Sequence, residues 1–197
     1  RMRTDDNAQS LLYERFMALT HIAAPYHHPV VGWMNDLENM KIDDLSQWYK
    51  KWYTPNNATI VIVSDLKPKQ ALALVKKYFK NIKPRPLPIR KPQKEPKRLG
   101  SKELNFKPTV KANLPIIMIG YNTPSLITAD VKWHPYALDV LSGILSGGSS
   151  ARLPKELVRD KQSAIQASAS YDMYTRYDNH FSLFGVVSSI KNMPRLK

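Results

Sequence analysis

The sequence predicts a protein of the α+β class, with mixed or antiparallel sheets and helices packed on one face. Three observations support this prediction. The chain has 197 residues, of which 43% are hydrophobic, and is therefore long enough to bury a core. Segments with helical spacing of apolar residues alternate with segments that show the patterns of strands. The last two predicted strands are joined by a polar loop, which is typical of an antiparallel hairpin.

The first predicted helix covers residues 8–20. Asp6 and Gln9 have the spacing of a capping box at its start. The apolar residues on one face of this helix are Ala8, Leu11, Leu12, Phe16 and Leu19. Because they recur at helical spacing, we expect this face to be buried.

The second predicted helix is capped by Asp44 and Gln47 and ends at Pro55. The residues expected on its buried face are Leu45, Trp48, Tyr49, Trp52 and Tyr53. Residues 58–64 are rich in β-branched side chains and predict a strand. Pro68 begins a third helix. The residues expected on the inner face of that helix are Leu72, Val75 and Phe79.

The second half of the chain begins with a buried strand predicted at residues 114–121. A helix at 133–145 follows, and Gly147 and Gly148 end it. A further short helix is predicted at 152–159.

Two strands are predicted near the end of the chain, at residues 164–172 and 180–189. In the first, apolar and polar residues alternate with a period of two, which is typical of a strand with one solvent-exposed face. Its expected apolar face consists of Ile165, Ala167, Ala169 and Tyr171. The polar loop between the strands contains Asp178 and Asn179, so we expect an antiparallel hairpin.

A basic, proline-rich stretch separates the two halves. The net charge of the chain is +14, and residues 83–98 contribute seven basic residues, one acid and five prolines. Such a stretch favours an extended, solvated chain. We therefore predict three parts: residues 1–82, a linker at residues 83–105, and residues 106–197.

Two function classes are excluded by composition, and a third is disfavoured. The absence of cysteine excludes thiol catalysis and cysteine metal sites. The longest apolar runs are far shorter than the roughly 20 residues that a membrane-spanning helix needs, so no membrane span is predicted. Residues 83–98 contain no aromatic side chain for base stacking, which disfavours nucleic acid as a partner.

The residues that could carry chemistry do not form a recognisable site. His27 and His28 are adjacent, so their side chains diverge, and the remaining three histidines are isolated in sequence and are interpreted as structural. Ser149 and Ser150 follow two glycines but lack the pattern of a nucleophile elbow. The sequence therefore predicts no catalytic, cofactor-binding or metal-binding residue in this chain.

Three stretches of the sequence carry a resemblance to a known family. The first runs from Tyr26, His27, His28 and Pro29 through the second predicted helix to the turn Thr54, Pro55, Asn56 and Asn57 and the strand after it. The second is the helix that ends at Gly147 and Gly148, followed by Ala151, Arg152 and Leu153. The third is the opening, residues 1–8. In this order they resemble the pitrilysin and insulinase family of inverted zinc metallopeptidases, which includes the mitochondrial processing peptidase.

The resemblance implies that this chain is a piece of a zinc metalloendopeptidase, covering the end of its first domain and the start of its noncatalytic second domain. The inverted His-x-x-Glu-His motif is missing from the sequence. The zinc ligands of such a parent would therefore lie outside this chain, with the third a few residues before Arg1. Whether this chain by itself is an enzyme stays open.

The resemblance further implies a chamber in which a peptide or unfolded polypeptide adds as a strand to a sheet edge. The expected partners are such a substrate and a second half or subunit of the same type, and the expected location is the bacterial periplasm or cell envelope. Two alternatives stay open: a noncatalytic partner subunit that binds peptide, and a basic module that binds nucleic acid or a scaffold.

Overall fold

The chain folds into helices and one small sheet, distributed over two compact units. The structure, a computed structural model, describes residues 1–91, 93, 95–96, 100–108, 110 and 114–195. Unit 1 comprises Arg1–Trp33 and Gln93–Lys197, and unit 2 comprises Met34–Pro92. The domain division predicted for the parent protein stays a prediction.

Unit 1 begins with helices α1 (Met2–Asp5) and α2 (Ala8–Thr20). The predicted bounds of α2 are confirmed, but the predicted capping box of Asp6 and Gln9 is wrong. Asn7 is the cap, because its side-chain oxygen accepts the N–H of Ser10 at 2.9 Å.

The buried face of α2 is partly the predicted one. Leu11 and Phe16 are buried, as expected. Glu14 is also buried, which the apolar spacing did not predict, and its carboxylate forms an ion pair with Arg1. This ion pair and a second one with Asp5 raise the pKa of the Arg1 guanidinium. Buried charges persist when they are paired in this way.

The sheet of unit 1 has three antiparallel strands in the order β1-β3-β2: β1 (Ile116–Thr123), β2 (Ala164–Ser170) and β3 (Asn179–Val187). The predicted α+β class and the predicted β2–β3 hairpin are confirmed. Helix α2 packs against β1 at Gly120, where a Cβ atom would lie 2.5 Å from the ring of Phe16. A side chain at position 120 would therefore have to displace the ring of Phe16.

One predicted face of the hairpin needs a correction. Ala167 and Ala169 are buried, but Ile165 is exposed. The register between β2 and β3 shifts between Ala164 and Gln166, so that Ala164 is buried in its place. A bulge of this kind changes the face on which a side chain lies.

Helix α6 (His134–Ser146) contacts β2 and ends at Gly147, as the sequence predicts. The predicted short helix after it is found as a π-helix, Pro154–Asp160, which also contacts β2. A 3₁₀ segment, Ile190–Arg195, follows β3.

Unit 2 contains helices α3 (Met34–Asn39), α4 (Ile42–Trp52) and α5 (Pro68–Phe79). Helix α4 begins two residues before the predicted cap at Asp44. Lys41 is the residue at the cap, and its N–H donates to the Asp44 carboxylate at 2.9 Å. The predicted start of α5 at Pro68 is confirmed.

The predicted burial in unit 2 is wrong. Leu45, Trp48 and Tyr49 on α4 and Tyr53 just after it are 53–57% exposed, and Leu72 and Phe79 on α5 are about half exposed. Of the residues expected to be buried, Trp52 and Val75 are partly buried. Residues 58–64 are not a strand in the structure. A strand and an amphipathic helix both need a partner for their backbone or apolar face, and the described residues of unit 2 do not include one.

Candidate functional site

A cleft in unit 1 lies at the end of β1. Its volume is about 510 Å³. Asn122 and Thr123 of β1 line it together with Asn179 at the start of β3. Since Thr123 lies opposite Asn179 in the sheet, the pairing of β1 with β3 positions this wall.

Several ionisable side chains also line the cleft. His134 stands at the start of α6, Asp130 just before that helix, Asp178 just before β3, and His21 at the end of α2. Glu95, from the predicted linker, completes the set. The cleft therefore has an acidic and imidazole-rich lining, in a chain whose net charge is +14.

The carboxylate of Glu95 is bound by three consecutive backbone N–H groups. Ile22 donates to it at 2.6 Å, Ala23 at 3.0 Å and Ala24 at 2.9 Å. Hydrogen bonds to an ionised acceptor are stronger than neutral ones. One residue of the predicted linker is thus firmly attached to the turn after α2.

Aromatic rings pack behind this turn. The His180 ring lies edge-on to Phe16, with centroids 4.9 Å apart, and 5.7 Å from the ring of His21. His180 is buried, and its Nδ1 atom has no hydrogen-bond partner in the described part of the chain. Burial, and to a lesser degree the neighbouring His21, lowers the pKa of His180 to about 4.

A side chain of α6 forms hydrogen bonds with the backbone at an outer edge of the sheet. The hydroxyl of Ser146, the last residue of α6, donates to the carbonyl of Ala169 at 2.8 Å and accepts its N–H at 3.0 Å. Ala169 lies on β2, an outer strand of the sheet. The outer strands β1 and β2 carry the backbone groups that a peptide strand would pair with.

The structure relates histidines that are isolated in the sequence. His21 lies beside His180, and His21 and His134 both line the cleft. The expectation that the side chains of His27 and His28 diverge is wrong: their ring centroids lie 3.7 Å apart with the ring planes tilted by 39°, and Trp33 donates its Nε1–H to His28. The interpretation of the other three histidines as structural stays a prediction.

Sequence reasoning missed Glu95, Asp130 and Asp178. The single acid among seven basic residues was the available signal for Glu95. The two aspartates stand in loops at the ends of predicted elements and carry no spacing pattern. Only the fold brings them to one cleft.

The described residues contain neither a metal-binding group nor a membrane-spanning helix. Within the described ranges, no three His, Asp or Glu side chains form a group that could hold a metal ion. None of the helices formed by those residues has the length and apolar character that a membrane crossing requires.

Comparisons with known proteins agree with one another. The family described as Peptidase M16 inactive domain matches residues 39–196. The zinc protease PqqE of Helicobacter pylori is 33% identical over 171 residues, which are 85% of this chain and 37% of that protein. An uncharacterised zinc protease of Mycobacterium leprae is 26% identical over 86% of this chain and 37% of its own length.

Two solved structures are similar as well. The crystal structure of a protease from Helicobacter pylori superposes with a TM-score of 0.85 at 28% identity, covering all of this chain and 47% of that one. A peptidase M16 inactive domain from Pseudomonas fluorescens gives a TM-score of 0.70 over 94% of this chain and 43% of that one, and at 16% identity it shows the fold alone. The chain spans less than half the length of these relatives.

Proposed function

Because this chain belongs to the Peptidase M16 inactive domain family, we propose that it is the noncatalytic region of a zinc-dependent endopeptidase, in which it forms part of the chamber wall and binds peptide. The observation that carries the proposal is the family match over residues 39–196, together with relatives named zinc proteases. The family resemblance predicted from the sequence is confirmed by the same match.

The described residues do not fit a zinc ion, since none of them form a group of three suitable ligands. A catalytic zinc needs three protein ligands and an open position for water. We therefore assign the zinc to the rest of the parent protein and derive no catalytic step for this chain.

The sheet of unit 1 supports the peptide-binding part of the proposal. A peptide can add to an outer strand through main-chain hydrogen bonds, which give affinity without requiring one sequence. The strands β1 and β2 both lie at the outside of the sheet. On β2, the Ser146 hydroxyl already holds Ala169, so a peptide must displace it or pair with the rest of the strand.

The catalytic division is tested by comparing two proteins: this chain, and the same chain extended at its N-terminus by roughly one further domain of about 100 residues. Zinc content and cleavage of a quenched fluorogenic peptide are measured for both. We expect the longer protein alone to hold stoichiometric zinc and to cleave. Zinc or cleavage with the short chain would overturn the assignment of these residues as noncatalytic.

The same pair of proteins decides between a zinc-bearing parent and a partner subunit. If the extended protein binds peptide but does not bind zinc and does not cleave, the parent is a noncatalytic subunit that pairs with an active one. Zinc with cleavage excludes that alternative.

Peptide binding is tested on the isotope-labelled short chain by NMR titration with an unstructured peptide. Shifts should follow one outer strand of the sheet. The matched control is the same peptide N-methylated at alternate residues, which keeps its side chains but removes half of its main-chain donors, and should bind more weakly. Equal binding of both peptides would contradict strand addition.

We also propose a bacterial envelope location for the parent, on the basis of the family resemblance. Cell fractionation with an antibody against this chain tests it, and recovery in the cytoplasmic fraction would contradict it.

A further inference from the structure

Glu95 stands in the most basic stretch of the chain, where residues 83–98 contain seven basic residues and this one acid. Its carboxylate lies within 2.6–3.0 Å of the backbone nitrogens of Ile22, Ala23 and Ala24. Successive N–H groups that converge on one point form a nest, which binds an anion. The anion in this nest is supplied by the chain itself, from more than 70 residues away.

The nest is held in place by contacts that do not involve Glu95. Just before it, the buried His21 ring packs edge-on against Tyr26, with centroids 5.6 Å apart. Just after it, the Tyr26 ring packs against Tyr177 at 5.8 Å, and the Tyr26 hydroxyl accepts the N–H of Arg176 at 3.0 Å. The three N–H groups are therefore preorganised to receive a carboxylate.

The nest also needs an acceptor. Ala24 is completely buried, and a buried N–H without a hydrogen-bond partner is unfavourable. Glu95 supplies that acceptor, and Glu95 with the neighbouring Pro96 forms one wall of the cleft at the end of β1. The position of this wall therefore depends on the same three hydrogen bonds.

We propose that Glu95 is a latch that fastens its own segment, Glu95 and Pro96, to the turn after α2 and holds one wall of the cleft in place. With the carboxylate in the nest, this segment is attached and the cleft has its wall. When another carboxylate takes the nest, the segment is released and the cleft opens. This conformational device is separate from the proposed peptide binding at the sheet edge and from the zinc site assigned to the parent.

The test uses the absence of cysteine from the chain, which makes Gln93→Cys a single attachment site for a nitroxide label. Relaxation enhancement reports whether the linker lies near the nest, and amide hydrogen exchange of residues 22–24 reports whether the nest is filled. The variants are Glu95→Ala and the control Asp130→Ala, which removes an exposed carboxylate from the same cleft.

We expect the label to enhance relaxation at residues 22–24 in the otherwise unchanged chain and in Asp130→Ala. In Glu95→Ala this enhancement is lost. The exchange rate of the three amides rises about tenfold or more, because these amides no longer have the hydrogen bonds to Glu95 that protect them. Sodium acetate, titrated against sodium chloride at constant ionic strength, should restore slow exchange in Glu95→Ala but not the relaxation enhancement, because acetate fills the nest without a tether.

Retention of both signals in Glu95→Ala would overturn the latch, and so would acetate having no effect on exchange. If Glu95→Ala fails to fold, the labelled Gln93→Cys chain with Glu95 intact decides. Its amide resonances for Ile22, Ala23 and Ala24 must then follow one common carboxyl titration as the pH is lowered, together with loss of the relaxation enhancement. Independent behaviour of the three amides would overturn the proposal.

Discussion

His180 is a residue whose neutral state the fold requires. It is buried between Phe16 and His21, and its Nδ1 atom finds no partner among the described residues. An imidazolium in this place would have to lose its hydration, which is why its pKa lies near 4 instead of 6.5. Protonation of this one ring therefore opposes folding.

We predict that the free energy of unfolding of this chain falls as the pH is lowered through the range between these two pKa values. Since the folded-state pKa is the lower one, the contribution of His180 is complete above about pH 6.5 and is lost as the pH falls toward 4. The loss between about pH 7.5 and pH 5 should be about 2 kcal/mol. Urea denaturation at both pH values measures it.

The matched control for this prediction is His180→Phe. The substituted ring keeps an aromatic packing against Phe16 but does not titrate. Its unfolding free energy should lose about 2 kcal/mol less than that of the unsubstituted chain over the same pH interval. An identical pH dependence in both proteins would assign the acid lability to other groups.

Gly143 inside α6 and Gly147 just after it lead to opposite predictions for the same substitution. At Gly147, which ends the helix, a Cβ atom would lie 2.5 Å from the carbonyl oxygen of Gly143. At Gly143, inside the helix, a Cβ atom would meet nothing within 4 Å. Backbone atoms cannot give way as the end of a flexible side chain can.

We therefore expect Gly147→Ala to lower the free energy of unfolding by about 1–3 kcal/mol, the usual cost of forcing an overpacked group into place. Gly143→Ala should raise it by about 0.5–1 kcal/mol, because alanine has the higher helix propensity. Both are read from urea denaturation curves. A stabilising Gly147→Ala variant would show that the end of α6 is free to rearrange.

At the scale of elements, the side chain of Ser146 makes a hydrogen-bonded connection between α6 and the sheet. The Ser146 hydroxyl satisfies both backbone groups of Ala169 on β2, and Ala169 is only 8% exposed. Buried backbone groups without partners cost free energy. The attachment of α6 to the outer strand is therefore a polar contact at a defined point.

We predict that Ser146→Ala destabilises the chain by about 1–3 kcal/mol, the desolvation cost of leaving buried polar groups without a partner. Ser142→Ala is the control on the same helix. Its hydroxyl donates to the carbonyl of Asp139 at an exposed place, so the change should lie within about 0.5 kcal/mol. Equal effects of the two substitutions on thermal unfolding would contradict a special role for Ser146.

Elements whose partners lie close in sequence could be predicted from it. Helix α2 has its predicted bounds, and the hairpin β2–β3 was indicated by alternation and by the polar loop between its strands. The helix caps were predicted less well. Asp6 was expected at the cap of α2 and Asp44 at the cap of α4, but Asn7 and Lys41 occupy these cap positions. Which of two neighbouring residues becomes the cap depends on the local backbone geometry, which the sequence pattern does not determine.

Contacts between distant parts of the chain could not be predicted. The linker was expected to be inert, yet Glu95 binds the turn after α2, and Arg85 donates its guanidinium N–H groups to the carbonyls of Lys50 and Tyr53 at the end of α4. In both cases the ligand groups are backbone atoms, which every residue carries. No pattern of side chains predicts contacts to backbone atoms. The cleft, whose wall includes Glu95, was therefore not predicted either.

At the scale of the whole molecule, the apolar surface of unit 2 is the feature that most needs an explanation. The side chains of Val61 and Val63 are 82% and 96% exposed, and Trp48 and Tyr49 on α4 are 55% and 57% exposed. Apolar surface of this extent marks a place where further protein is expected to bind. The relatives are more than twice as long as the part of them that this chain matches.

The last prediction follows from this surface. In the protein extended at its N-terminus, we expect residues 58–64 to become a paired strand and the aromatic face of α4 to be covered. Backbone amides that join a sheet exchange slowly, whereas the amides of this extended segment should exchange fast in the short chain. Hydrogen exchange with mass spectrometry of both proteins compares the peptide covering residues 58–64, with the peptide covering β3 as the internal control. The uptake of the first should drop by about tenfold or more in rate while that of β3 stays the same. Fast exchange of residues 58–64 in the extended protein would contradict this prediction and would assign the covering of unit 2 to another molecule, such as a partner subunit. Some cover is needed because an exposed strand with valine and isoleucine on both faces leads to aggregation.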